Sequence, residues 1–542
     1  VINATTIILG IVTGALLVSC QTKVPAGSIS TISKDPEPDS PLKKRTADLL
    51  SYDDLVVLLK QKGQPTKASK KAEQLFQSPF VNNNIYEKYG LPNPTIHPTL
   101  GPSIRVTTWN IEKSIQVQDI AKSLSSEEHF SKHLKGTVRT DKEELHNALR
   151  QRADLAHSDI LLLQEMDIGH CRSGYVFAAE HLAQTLGMNY AYAPQQLEID
   201  PVYLAQDDVI FQNMSTDHEA CKVLDENKSK YRGVFGVAVL SRYPIKKVQA
   251  YQLELQPYDW YTGEIQRPDF IEQGRRFGAE KIFMVKPVRE VKVGGRGFTR
   301  VDLHVPEVPH ETISVINIHL EIKTTPQNRT KQIEEILNYI HDIKNPVILA
   351  GDFNSAATDV SSTSLLRLTV NTANNPSNIL SLALWLSNAT GVSQARNILN
   401  AYKNYQDPLA WDVPILFPNK TKSLFEKIET FRFKDGGAFD FRGDHKRSMN
   451  GVNGILSNSN QRSRFKGFTQ TFKVPTPIGP LGRERLDWIF VKSFLTHPKD
   501  KKGTYKLAPH FGETLDLINK CSDKPYSDHH PITTILPLED PQ

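Results

Sequence analysis

Six short polar signatures recur along this chain in a fixed order, each seated on or enclosed by an apolar run of strand character. They are Val-Thr-Thr-Trp-Asn-Ile-Glu at 106–112, Leu-Leu-Leu-Gln-Glu at 161–165 and Val-Ile-Asn-Ile-His-Leu at 315–320. Then come Ile-Leu-Ala-Gly-Asp-Phe-Asn at 348–354, Arg-Leu-Asp-Trp-Ile-Phe at 485–490 and Tyr-Ser-Asp-His-His-Pro-Ile at 526–532. A strand end is where a rigid sheet presents such groups to one site. Carboxylates, amides and imidazoles converging there suit a hard divalent ion and water-mediated cleavage of a phosphate ester.

Individual residues sharpen this reading. Glu165 follows an apolar run, so its carboxylate is expected to emerge at a strand end and to meet a cation, since a buried unpaired charge is costly. Asp352 and Asn354 flank Phe353; strand alternation would put the two polar groups on one side, where they could orient a water and a phosphoryl oxygen. Gly351 before them allows close approach of backbone. Asn317 and His319 share a face in the same way, as do Asn110 and Glu112 on the first strand. His319 is a candidate proton donor to a leaving oxygen, and Glu112 a candidate metal oxygen. His529, paired with Asp487, can serve as base or as imidazolium. His530, next in sequence, points to the opposite face and is expected to be structural.

The order of these motifs, together with Val-Leu-Ser-Arg-Tyr-Pro-Ile at 239–245, resembles the endonuclease/exonuclease/phosphatase superfamily over about residues 104–536. The resemblance implies an α/β protein, a four-layered α/β/β/α sandwich with long insertions. It implies Mg²⁺ or Mn²⁺ held chiefly by Glu165 with Asn110 and Glu112 nearby, and Asp528 as a further carboxylate at or just behind the metal. Asp352 and Asn354 would place the water and the phosphate, His529 and Asp487 would form a His–Asp pair, and His319 would face the scissile phosphate. One departure stands out. Abasic-site endonucleases carry a Tyr shortly before the Leu-Ser-Arg strand; here it is absent or supplied by Tyr231.

The frame around this domain is legible too. Ile7–Val18 is an apolar run too short to span a bilayer, followed by Ser19 and Cys20, and resembles a signal peptide ending in a bacterial lipobox with Cys20 lipidated. Residues 1–20 would be signal peptide and 21–103 tether and N-terminal extension. The domain proper would run over 104–538 with an inserted lobe at about 369–482. Within 21–103, helical patches fall at Ala47–Lys60 and Lys67–Phe76, and 80–103 reads as irregular. In the lobe, Asp435, Asp440 and Asp444 sit among glycines without the spacing of an EF-hand, so a solvated turn is expected. Of the four cysteines, Cys171 and Cys221 are the favoured disulfide pair.

The expected protein is therefore a lipid-anchored, extracytoplasmic, monomeric phosphoesterase. A net charge of +5 over 542 residues is too weak to require nucleic acid as partner. Three substrate versions compete: an extracellular nuclease, a phospholipid or sphingomyelin hydrolase, and a sugar- or inositol-phosphate phosphatase. A nuclease groove would draw on Arg275, Arg276, Arg296 and Arg300, and a lipid hydrolase on an exposed aromatic hairpin at Tyr258-Asp259-Trp260-Tyr261. A surface binding protein that keeps the fold without catalysis is the rival of a different class; intact polar motifs argue against it.

Overall fold

Strand alternation assigns side chains to layers in this protein. In the computed structural model, residues 29–32, 42, 44–61, 63–199, 228–265, 290–355, 422–441, 468–473, 483–494, 504–508 and 510–540 are described. The principal strands are β1 (Gly101–Asn110), β2 (Ile160–Ile168), β3 (Asn189–Glu198), β4 (Val234–Ser241), β5 (Ile245–Gln252) and β6 (Gly297–His304). They continue with β7 (Thr312–His319), β8 (Val347–Asp352), β9 (Asp487–Lys492), β10 (His510–Thr514) and β11 (Ile532–Pro537). The principal helices are α1 (Tyr52–Lys60), α2 (Lys67–Phe76), α3 (Val117–Ser125), α4 (Glu127–His133), α5 (Lys142–Ala156), α6 (Ala178–Leu186), α7 (Pro326–Ile340) and α8 (Lys422–Thr430).

Two sheets result. One runs β10-β11-β1-β2-β4-β3 and ends on a short strand at Phe80–Asn82; the other runs β5-β6-β7-β8-β9, with Ile29–Ile32 beside β5. Even-numbered residues of β1 and β2 (Ile104, Val106, Ile160, Leu162) meet odd-numbered residues of β7 and β9 (Ile313, Val315, Ile489, Val491) and Ile348 and Ala350 of β8 in a core between the sheets. The opposite faces take helices. Leu161 and Leu163 join one apolar cluster with residues of α1, α2, α3, α5 and α6, while Ile316, Ile318, Leu349, Trp488 and Phe490 join another with residues of α7 and α8. This is the four-layered α/β/β/α sandwich. At Gly351 the backbones of β7 and β8 leave no room for a side chain: an added Cβ would sit 2.0 Å from the Ile318 carbonyl oxygen.

Local chemistry sets the helix starts. Asp141 caps α5 by accepting from the Glu143 and Glu144 amides, and Thr325 caps α7, whose first residue is Pro326. Ser51 caps α1, which starts at Tyr52 rather than at Ala47. The N-terminal extension is part of the globule. Residues 80–103, expected to be irregular, hold the Phe80–Asn82 strand on β3, a helix at Asn84–Tyr89 and a strand at Thr95–His97 on β1. Local propensity there is weak, and pairing with sheet edges supplies the order.

Asp435, offered as a loop carboxylate, accepts from the Gly437 amide and pairs with buried Lys492, so that turn is tied to β9. Cys171 is disulfide-bonded and Cys521 is free and buried. Cys20, Cys221, Arg275, Arg276, Asp444 and most of the expected lobe lie outside the described residues. No helix among the described residues is long and apolar enough to cross a membrane.

Candidate active site

The alternation that builds the inter-sheet core also builds the site. Past Val106 the inner face of β1 continues as Thr108 and Asn110, and past Leu162 that of β2 becomes Gln164. Past Val315 that of β7 becomes Asn317 and His319, past Ala350 that of β8 becomes Asp352, and before Ile489 that of β9 is Asp487. Register aligns them: His319 lies opposite Asp352, and Asp352 opposite Asp487. One end of an apolar seam is thus lined with polar groups.

Asp487 Oδ2 and His529 Nδ1 are 2.8 Å apart, and the His529 Nε2 lies 3.9 Å from Asp352 Oδ2. Burial alone would lower the imidazole pKa. Asp487, with Asp528 and Asp352, overrides this and holds His529 well above its ordinary value. Burial pushes the Asp352 carboxyl up to about 7; His529 and the Asn354 and Asn110 hydrogen bonds restrain the rise, and Asp487 adds to it. Asn110 Nδ2 donates to Asp352 Oδ2 (3.1 Å) and the Asn354 amide to Asp352 Oδ1 (2.7 Å).

Three expectations need correcting in geometry. Glu165 is not at a strand end: β2 runs on to Ile168, and Glu165 sits at a bulge with φ of 59°. Glu112 and Asn354 do not follow strand alternation, since both strands have ended; each turns in with positive φ, 47° and 46°. Glu112 is the first of three consecutive left-handed residues, which a sequence without glycine there does not announce. That turn aims the Lys113 amide at Glu165 Oε2 (3.0 Å), and Glu112 Oε2 accepts from the Asp528 amide (3.0 Å). Asn354 spends its side-chain amide on the Leu320 carbonyl (3.0 Å).

His319 is buried, with Nδ1 2.9 Å from the Arg296 guanidinium. Arginine only donates, so Nδ1 accepts and the proton sits on Nε2. Burial, then Arg296 and His529, push this imidazole well below its ordinary pKa. A neutral Nε2–H therefore faces Asp352 (3.6 Å) and Glu165 (3.8 Å). Arg296 is held by Glu321, which also accepts from the Trp260 indole (3.0 Å).

Arg296 and the aromatic cluster are therefore internal supports, not a groove or a hairpin. Tyr258 bonds Glu264, Tyr261 bonds the Leu59 carbonyl and Trp260 is buried. Arg300 pairs with Asp302. Tyr231 is buried and donates to the Glu198 carbonyl (3.2 Å), so it does not replace the missing Tyr. The His530 ring lies 3.3 Å from Asn519 and its amide donates to Thr471, a structural placement as expected.

Sequence reading missed Thr471 and Phe472. Thr471 Oγ1 accepts from the Leu486 and Asp487 amides, and the Phe472 ring lies 5.0 Å from that of His529. Their stretch carries no catalytic signature, so only packing could find them.

A family model described as endonuclease/exonuclease/phosphatase matches residues 107–529. The chain belongs to this family. No curated protein matches it. Among solved structures it is similar to an endonuclease/exonuclease/phosphatase from Beutenbergia cavernae: 13% identity, 81% of this chain and 72% of that one, TM-score 0.35. A 3′ phosphatase from Neisseria bound to product DNA hairpin shows 12% identity over 80% of this chain and 98% of that one, TM-score 0.32. The beta toxin of Staphylococcus aureus shows 12% identity over 80% and 99%, TM-score 0.30. At these scores the structural likenesses carry no argument.

Endonuclease/exonuclease/phosphatase proteins hydrolyse phosphoesters and depend on a divalent metal, and this chain is such a hydrolase. Its donors fit the ion. Burial and the charges of Asp528 and Glu165 push Glu112 well above the usual carboxylate range, so three carboxylates crowd one place. A hard cation relieves that repulsion through oxygen ligands. Asp352, Asp487 and His529 also lie within 4.8 Å of one another, but Asp487 is committed to His529, which leaves that trio to proton chemistry.

Replacing Asp487 by Asn removes the charge that holds His529 protonated. In the metal-free protein the His529 imidazole should then titrate at clearly lower pH than in wild type, read by NMR of labelled histidine, with the fold unchanged by circular dichroism. An unmoved titration contradicts the pairing.

Proposed function

We propose that this protein is an extracytoplasmic phosphodiesterase, a nuclease or a related diester hydrolase, that works as a monomer with Mg²⁺ or Mn²⁺. The observation that carries the mechanism is the pairing of opposite proton states. Asp352, pushed to about 7, is matched to accept a proton near neutrality, and His529 beside it is held protonated. Water oriented by Asp352 attacks phosphorus and gives its proton to that carboxylate. The Nε2–H groups of His529 and His319 hydrogen-bond phosphoryl oxygens as negative charge develops. A divalent ion at Glu165, Glu112 and Asp528, with Asn110 adjacent, would polarise a phosphoryl oxygen. His319, held neutral, can only hydrogen-bond the reacting oxygens, so the leaving oxygen takes its proton from water.

Within the diester class, a nuclease is preferred over a lipid-headgroup hydrolase because Tyr258, Trp260 and Tyr261 are committed to internal contacts rather than to a membrane-facing hairpin. Glu165→Gln removes the charge of the proposed principal ligand. It should abolish hydrolysis of bis-p-nitrophenyl phosphate and of DNA, and weaken Mg²⁺ dependence, without unfolding the domain. Wild-type rates and a wild-type Mg²⁺ titration would make Glu165 structural. Parallel assays on sphingomyelin and inositol phosphates decide among substrates.

The location rests on the lipobox-like Leu17-Val18-Ser19-Cys20. With Cys20→Ala the full chain should leave the membrane fraction, because an apolar run this short anchors weakly without lipid. Unchanged, detergent-dependent fractionation rejects the lipid anchor.

A further inference from the structure

Away from the active site, Asp119 of α3 and His129 and His133 of α4 bring one ligand atom each within 4.8 Å of one another. The two histidines are four residues apart on one helical turn, the spacing that puts both imidazoles on one face. Their ring centroids lie 4.3 Å apart, with the planes tilted by 40°. The His133 tautomer is set for metal binding. His133 Nδ1 lies 2.9 Å from the His129 carbonyl oxygen, an acceptor, so Nδ1 carries the proton and Nε2 keeps its lone pair. His129 Nε2 is buried without a hydrogen-bond partner. Asp119, half-buried across the corner between the helices, supplies the oxygen.

We propose that Asp119, His129 and His133 form a second metal site, for Zn²⁺ or a similar divalent transition ion, separate from the catalytic one. Two imidazoles and a carboxylate are nitrogen-rich donors that prefer Zn²⁺ to Mg²⁺ or Ca²⁺. Tetrahedral bonds of about 2.0–2.1 Å place ligand atoms about 3.4 Å apart, within reach of the present spacing by small side-chain rotations. Water would complete the fourth position.

The place gives the ion a structural role. Phe130 of α4 stacks on Tyr526, and Ser123 of α3 hydrogen-bonds the Tyr526 hydroxyl (2.7 Å). The His133 carbonyl accepts from the Asp523 amide, and Asn519 Nδ2 holds the His529 carbonyl at 2.7 Å. A metal closing the α3–α4 corner would brace the segment that ends in Asp528 and His529.

The test uses the full chain with saturating Mg²⁺, equilibrium dialysis against Zn²⁺ alone as probe, and thermal unfolding with and without Zn²⁺. Wild type and Glu165→Gln should each retain this Zn²⁺ and gain thermal stability from it. His133→Asn and the milder Asp119→Asn should weaken its binding by more than about tenfold and lose the stabilisation, with Mg²⁺-dependent hydrolysis kept. Co²⁺ should give visible absorption of a tetrahedral centre in wild type and lose it in both variants. Zn²⁺ retention unchanged in folded His133→Asn and Asp119→Asn, or no retention by wild type, overturns the proposal. Loss only in Glu165→Gln would place the ion at the catalytic centre and overturn it equally.

Discussion

The cross-sheet hydrogen bond between Gln164 and Asn317 is the contact on which the site depends. Both side chains are fully buried, and Gln164 Nε2 donates to Asn317 Oδ1 at 2.7 Å. Asn317 Nδ2 donates in turn to the carbonyls of Leu163 and Ala238, beside the bulge that breaks the β2–β4 ladder. A buried polar group without a partner costs about 1–3 kcal/mol, so this amide pair fixes the spacing and register of two otherwise apolar faces. The bulge it serves is the one that turns Glu165 into the site.

Given that seam, electrostatics follow from burial. Asp352 and Asp487 are buried; burial raises the Asp352 carboxyl, while Asp487 is spent holding His529 as a cation. On the far side Arg296 does the reverse for His319, keeping it neutral with a defined tautomer. Burial favours the neutral form of both histidines; Arg296 reinforces it at His319, whereas Asp487 overrides it at His529. The crowding of Glu112, Glu165 and Asp528 leaves a deficit of positive charge that a divalent ion would relieve.

Much of this was legible in the sequence. The motif set located the residues that meet around Asp352, Asp487 among them, and period-two alternation put Asn317 with His319 on one side; Asn110 and Asp352 prove to share that inner face. Where the chain leaves the strand, alternation stops being informative. Glu112 and Asn354 reach the site through positive-φ turns and Glu165 through a positive-φ bulge within β2, conformations with no local sequence signature at non-glycine residues. Arg296 and Trp260 read as surface or hairpin residues because their partner, Glu321, is distant in sequence. Thr471 and Phe472 return from a long insertion whose composition says nothing of where it packs.

A double-mutant cycle on turnover of a phosphodiester tests the central claim, that Asp352 and His529 act together on one transition state. Asp352→Asn and His529→Ala should each lower kcat by about 10²–10⁴-fold, and the double mutant should be little slower than the worse single one. Effects that multiply, or a single mutant with near-normal turnover, would show that the two groups do not share that step.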